Sequence, residues 1–214
     1  MAAKILRRIK KKISKIRNKN ISYFSQENVI QGYGDLRAIL NPLPEIKPIK
    51  STKPFSINEL PLNSITIKSL KEKFGYPSIV LKNGHNIEKH KIYFYRDRVG
   101  FYKILIQFHF IDNEFFFVST RLSVPKGLST ERKKEIVKQA LIKYTGKAPA
   151  QIKNLDVKLI DEDGNQLFVN DYVSFYLNYL AENETKKQLY QELWEATDEQ
   201  IEIEESKVEI EKYI

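Results

Sequence analysis

Few residues in this chain have the type and spacing for catalysis or metal binding. Histidine occurs only at 85, 90 and 109, without the HExxH or HxH spacing that sets two imidazoles on one face. A zinc centre needs three or four converging ligands. His85 falls in a turn, His90 at the start of a strand, and His109 on the less apolar face of a strand, where it reads as an ordinary sheet residue. Asp161, Asp163 and Asn165 alternate within DEDGN as calcium-loop ligands do. The twelfth position of such a loop is Tyr172, however, where a bidentate Glu is required, so the stretch reads as a hairpin turn. GYG at 32–34 lacks the phosphate-loop spacing, and the GxSxG, kinase and dinucleotide fingerprints are absent. There is no cysteine, which excludes disulfides, thiolate zinc ligands, cysteine nucleophiles and lipid attachment through cysteine. These patterns predict no cofactor, no metal and no small-molecule substrate, and they place an unrecognised enzyme behind a binding protein.

Charge is the stronger signal. The 214 residues carry a formal net charge of +9, distributed unevenly. Residues 1–53 hold 13 Lys+Arg against 3 Asp+Glu, a net +10, whereas residues 182–214 hold 4 against 11, a net −7. Such asymmetry describes a basic arm and an acidic tail, two segments of opposite sign able to associate. Residues 1–19 include nine basic residues and no acidic one. On a helical wheel Ile5, Leu6, Ile9, Ile13 and Ile16 fall within an arc of about 100°. Lys4, Arg7, Arg8, Lys10, Lys11, Lys12, Lys15 and Arg17 fill the remainder. A helix this short is marginal in water and is expected to form on something.

The sorted faces suit an anionic membrane surface, where aliphatic groups enter the interface and each nearby cation adds about 1 kcal/mol. Nucleic acid would use the cations through phosphate contacts but has no need of an unbroken Ile stripe. The plain alternatives are a stripe packed on the chain's own body and an arm without fixed structure. Interrupting Lys and Arg exclude a secretory signal, and no apolar run reaches the roughly 18–20 residues that span a bilayer. With a mean hydropathy of −0.45 and no cysteine, the expected location is cytoplasmic, peripheral at the inner face of the membrane. The high Lys, Ile and Asn content fits an AT-rich, bacterial coding sequence.

The elements that would carry these groups centre on 92–124, IYFYRDRVGFYKILIQFHFIDNEFFFVSTRLSV. Tyr102, Ile104, Ile106, Phe108 and Phe110 alternate with the period of a strand buried on one face. A helix entered at Thr66, with Ile67, Leu70 and Phe74 on its apolar face, ends at Gly75. Strands are predicted over Ser78–Lys82, Lys89–Asp97, Phe101–Asp112 and Glu114–Val124. Asn83-Gly84, Gly100 and Asp112-Asn113 supply tight turns. Tyr93, Tyr95, Phe101, Phe115 and Phe117 are expected on the opposite face of the sheet, near Arg96, Arg98, Lys103 and Arg121. RNA-binding sheets stack bases on such aromatics, although the RNP spacing is absent.

Ser129 caps a helix to Tyr144 that should cover the sheet. Strands at 155–160 and 166–169 flank the DEDGN turn. A buried helix is expected from Asn170 or Asp171 to Leu180, and another from Thr185 through Leu189, Leu193 and Trp194. Short helices are expected near 27–31 and 35–40. Pro42, Pro44, Pro48, Pro54 and Pro61 mark 41–60 as a surface connection.

The helix with Thr66, Ile67, Leu70, Phe74, Gly75 and Pro77, followed by a meander containing Tyr93–Tyr95, resembles the α-β-β-β module of the SmpA-type outer-membrane-assembly lipoproteins and the β-lactamase-inhibitor-protein repeats. The resemblance covers about 60 of the 214 residues. It implies a binding or scaffolding module without catalysis, and it assigns no site residue. This chain departs from those lipoproteins in lacking a signal peptide and a lipidation cysteine.

The resulting expectation is an α+β fold, an antiparallel β-meander covered by helices, with an N-terminal basic amphipathic helix. Its segments are a basic arm at 1–19, an irregular proline-containing linker at 20–60, a globular α+β domain at 61–181 and an acidic helical tail at 182–214. The expected function is that of a non-catalytic interaction or adaptor protein. It would dock on an anionic membrane surface or an acidic protein partner through Ile5, Leu6, Arg7, Arg8, Ile9, Lys10, Lys11, Lys12, Ile13, Lys15, Ile16 and Arg17. A nucleic-acid-binding protein using the arm and the sheet aromatics is the alternative.

Overall fold

In the computed structural model, residues 23–82, 87–147, 149, 151–171 and 174–195 are described. The arm at 1–19, the turn at 83–86 and the chain beyond 195 lie outside them, so the N-terminal helix expected for the arm does too.

Alternation along 92–124 is realised as three ten-residue strands: β5 (His90–Val99), β6 (Tyr102–Ile111) and β7 (Glu114–Ser123). Gly100 with φ +58°, and Asp112 and Asn113 with φ +50° and +71°, turn the chain between them. Positive φ is what two-residue hairpin loops demand. The strands join an eight-stranded sheet of order β1-β8-β9-β10-β7-β6-β5-β4. Its other members are β1 (Ile49–Lys50), β4 (Ile79–Lys82), β8 (Lys158–Ile160), β9 (Gln166–Asp171) and β10 (Phe175–Leu180). All pairings are antiparallel except β1 with β8.

Both faces of the sheet are covered. On the first, Tyr95, Ile106, Phe108, Phe110 and Val118 pack against α2 (Ile67–Phe74) and α3 (Thr130–Thr145) through Leu70, Phe74, Val137, Leu141 and Tyr144. The helix ends are those foreseen. The Thr66 hydroxyl accepts from Ser69 N at 3.0 Å, Ser129 accepts from Arg132 N, and Gly75 and Gly146 adopt positive φ at the exits. On the second face Phe116, Phe117, Phe168 and Leu180 meet α1 (Tyr33–Leu40) and α4 (Glu184–Glu195). A smaller cluster of Phe24, Leu81, Ile92, Phe94 and Leu105 continues that face. Burying one Phe or Leu side chain stabilises by about 1.5–3 kcal/mol, which gives a layered fold of this size two cores to draw on.

Four expectations change. The stretch expected as a helix instead supplies the end of β9 (to Asp171) and all of β10 (Phe175–Leu180). A strand buried on both faces is apolar at nearly every position, as a buried helix is, and periodicity cannot separate them. The aromatics expected on the opposite face divide: Tyr93, Tyr95 and Phe115 lie in the first core with Phe108, and Phe117 lies in the second. The β6–β7 register steps from His109↔Phe117 to Phe110↔Phe115, a bulge at Phe116, and this lets Phe116 and Phe117 enter the same core.

The expected linker is woven into the body. Phe24, Ile30, Leu36, Leu40 and Phe55 are buried, and β2 (Ser56–Ile57) and β3 (Leu60–Pro61) form a small hairpin. Lys158 Nζ donates to Pro42 O at 2.8 Å. Prolines remove backbone donors, but the apolar residues between them still need burial. Finally, α4 is capped two residues earlier than foreseen, by Asn183, whose Oδ1 accepts from Lys186 N at 2.9 Å; Asn ranks above Thr at this position.

Candidate anion-binding face

Period-two alternation sets Arg96 and Arg98 of β5 on the second face, beyond Phe94. The register Arg96↔Leu105↔Arg121 and Arg98↔Lys103↔Ser123 then brings cations from three strands to one end of the sheet. Together with Tyr23 they line an open groove of about 580 Å³. Three of the four cations are guanidinium groups, whose planar donors match phosphate and carboxylate oxygens.

Residues 23–27 are helical and lie across the inner end of this groove. Phe24 packs on Phe94 with ring centres 5.0 Å apart. The Arg96 guanidinium sits 4.5 Å from the Phe24 ring centre and 5.0 Å from that of Tyr23, within cation–π range. Glu27 forms an ion pair with Arg121. Gln107, fully buried, donates from Nε2 to Glu27 O at 2.7 Å and accepts from Val29 N at 3.1 Å. Burial opposes the charge on Arg121, but Glu27 and then Tyr176 outweigh it and hold the guanidinium more firmly protonated than in water.

Arg96 and Arg121 therefore anchor the first turn, while Arg98 and Lys103 face outward. The Arg98 Nε donates to Gly100 O at 3.2 Å, and neither side chain has a carboxylate partner among the described residues. Among the described residues Asp97 is the one carboxylate lining the groove, and its Oδ1 accepts from Arg98 N at 2.6 Å. The arrangement can hold an anion by charge and hydrogen bonds.

The other polar cluster is internal. His90 and His109 are fully buried, with His90 Nε2 and His109 Nδ1 3.0 Å apart. Burial, and then the charge of His90, push the His109 pKa well below 6.5. The ordinary sheet residue expected at 109 is thus half of a buried imidazole pair. His90↔Ile111 and Ile92↔His109 are two rungs apart, next to each other on one face of the sheet, a diagonal relationship that follows from the Gly100 turn and was legible only by counting outward from it. No group of three His, Cys, Asp or Glu that could hold a metal occurs among the described residues.

Asp161 also resolves as structural. Its Oδ1 accepts from Asp163 N and Asn165 N, and its Oδ2 from Phe55 N and Asn165 Nδ2, all at 2.9–3.1 Å. Most of the aromatics expected to stack bases are out of reach, since Tyr93, Tyr95, Phe115 and Phe117 are buried; Phe101 alone of that set is exposed. The arm residues Ile5 to Arg17 lie outside the described residues. No described helix is long and apolar enough to cross a membrane. No family model, curated protein or solved structure matches this chain.

Proposed function

We propose that this chain is a non-catalytic interaction protein that docks on an anionic membrane surface, the inner face of a bacterial membrane, using its basic arm and the sheet groove as one cationic face. The observation that carries this reading is the place of Tyr23. In sequence the arm ends only a few residues before Tyr23, and Tyr23 lines the groove with Arg96, Arg98, Lys103 and Arg121. Cations that are separate in sequence are thereby tethered together, and their attractions to one anionic surface add. The isoleucine stripe of the arm favours a lipid interface over a phosphate backbone, because only the interface rewards apolar burial. The likeness of 61–124 to a scaffolding module points toward binding as well.

A nucleic-acid partner is the second reading, favoured by the run of cations from arm to sheet. Co-sedimentation with phosphatidylglycerol vesicles separates the two. Membrane docking requires binding that weakens with added salt and with Ile9→Glu. Undiminished binding by that variant would assign the interaction to charge alone and so to a phosphate-bearing polymer or an acidic protein.

A further inference from the structure

We propose that the β5–β6 hairpin tip, Val99–Gly100–Phe101, is a second membrane contact: Val99 and Phe101 enter the headgroup region while Arg98 and Lys103 engage lipid phosphates. This rests on the membrane reading above and adds a site within the folded body. Val99 is 60% exposed and Phe101 62% exposed, at the apex of two ten-residue strands. The turn explains only its glycine: Gly100 supplies the positive φ, as the first central residue of a two-residue loop. Nothing in the turn calls for an aromatic ring at 101, where a polar residue would cost less in water.

Charge names the occupant. Arg98 and Lys103 flank the tip on one side, and on the other Arg132 of α3 lies 5.9 Å from the Phe101 ring centre. Asp97 and Glu131 are the neighbouring carboxylates, and the Asp97 Oδ1 is already engaged with Arg98 N. A pair of apolar side chains is far too small for a protein interface, which needs roughly 1,000 Å². A lipid interface accepts side chains one at a time, with cations beside them meeting headgroup phosphates. Arg98 and Lys103 line the same groove as Tyr23, so the tip and Tyr23, which follows the arm by a few residues in sequence, lie on one side of the molecule.

The test uses the full chain. Trp194 is the only tryptophan, so Trp194→Phe with Phe101→Trp places a single indole reporter at the tip. On phosphatidylglycerol vesicles its emission should shift to the blue and be quenched by brominated acyl chains. Val99→Ser with Phe101→Ser should weaken vesicle binding roughly tenfold with an unchanged melting temperature, as both residues are exposed. If wild type binds vesicles and Ile9→Glu releases it, yet the tip indole neither shifts nor is quenched, the tip proposal falls and arm docking stands. Should wild type bind no vesicles, both fall. A response of the tip indole to an RNA oligonucleotide and not to vesicles would assign position 101 to base stacking and overturn the proposal.

Discussion

His90 Nε2 and His109 Nδ1 meet at 3.0 Å inside the second face of the sheet, with both side chains fully buried. His109 resists protonation because of burial and then because of His90. Its folded pKa lies below the unfolded value of about 6.5, so below that pH the unfolded chain binds more protons. Stability is then full above about pH 6.5 and declines as pH falls, by at most about 1.4 kcal/mol per pH unit for one group. Urea unfolding at pH 7.5 and pH 5.0 should show this loss, and His109→Leu should flatten the profile in that window.

The Glu27–Arg121 pair fastens residues 23–27 to the sheet, with the two side chains 15% and 22% exposed. Glu27→Ala leaves a guanidinium in a half-buried site without its counter-charge, at a cost of about 2–3 kcal/mol. Amide exchange of residues 24–30 should accelerate more than that of β6. Equal acceleration in both would mean that the turn is not held locally by this pair.

Two aromatics on one hairpin should behave oppositely. Phe108 has no exposed surface and contacts Phe74 and Tyr95. Phe108→Ala should cost about 3–5 kcal/mol, whereas Phe101→Ser should change stability by no more than about 0.5 kcal/mol. Chemical denaturation of both variants reads this directly.

Asp161 gathers four N–H donors and links Phe55 to the β8–β9 turn. Asp161→Ala orphans buried donors at about 1–3 kcal/mol each, and a total loss of about 3 kcal/mol is expected. Asp163→Ala, which removes the Asn63 hydrogen bond from an exposed site, should cost far less.

Arg98 and Lys103 face solvent without carboxylate partners among the described residues. Arg98→Glu with Lys103→Glu should lower affinity for phosphatidylglycerol vesicles by about 1 kcal/mol or more for each cation reversed and make the remaining binding less salt-dependent. The same change at Lys68 and Lys71 on exposed α2 positions serves as the charge-matched control. Equal losses in the two variants would argue against a localised face.

Sequence by itself determined what depends on near neighbours along the chain. The alternation of Ile106, Phe108 and Phe110, the caps at Thr66 and Ser129, and the turns at Gly100 and Asp112-Asn113 are set by strand period, side-chain hydrogen bonds and positive φ, all local. It also marked Arg96, Arg98, Lys103 and Arg121 as neighbours without showing which of them remain free. Tertiary structure decided the rest. Apolar residues at almost every position of 175–180 satisfy a buried helix and a doubly covered strand equally well, and only pairing with β7 and β9 selects the strand. Phe24 and Phe55, on either side of a proline-rich stretch, are drawn into cores made by distant residues. The Gly100 turn sets the register that brings His90 and His109, nineteen positions apart, side by side, but only the elements packed over the second face bury them as a pair.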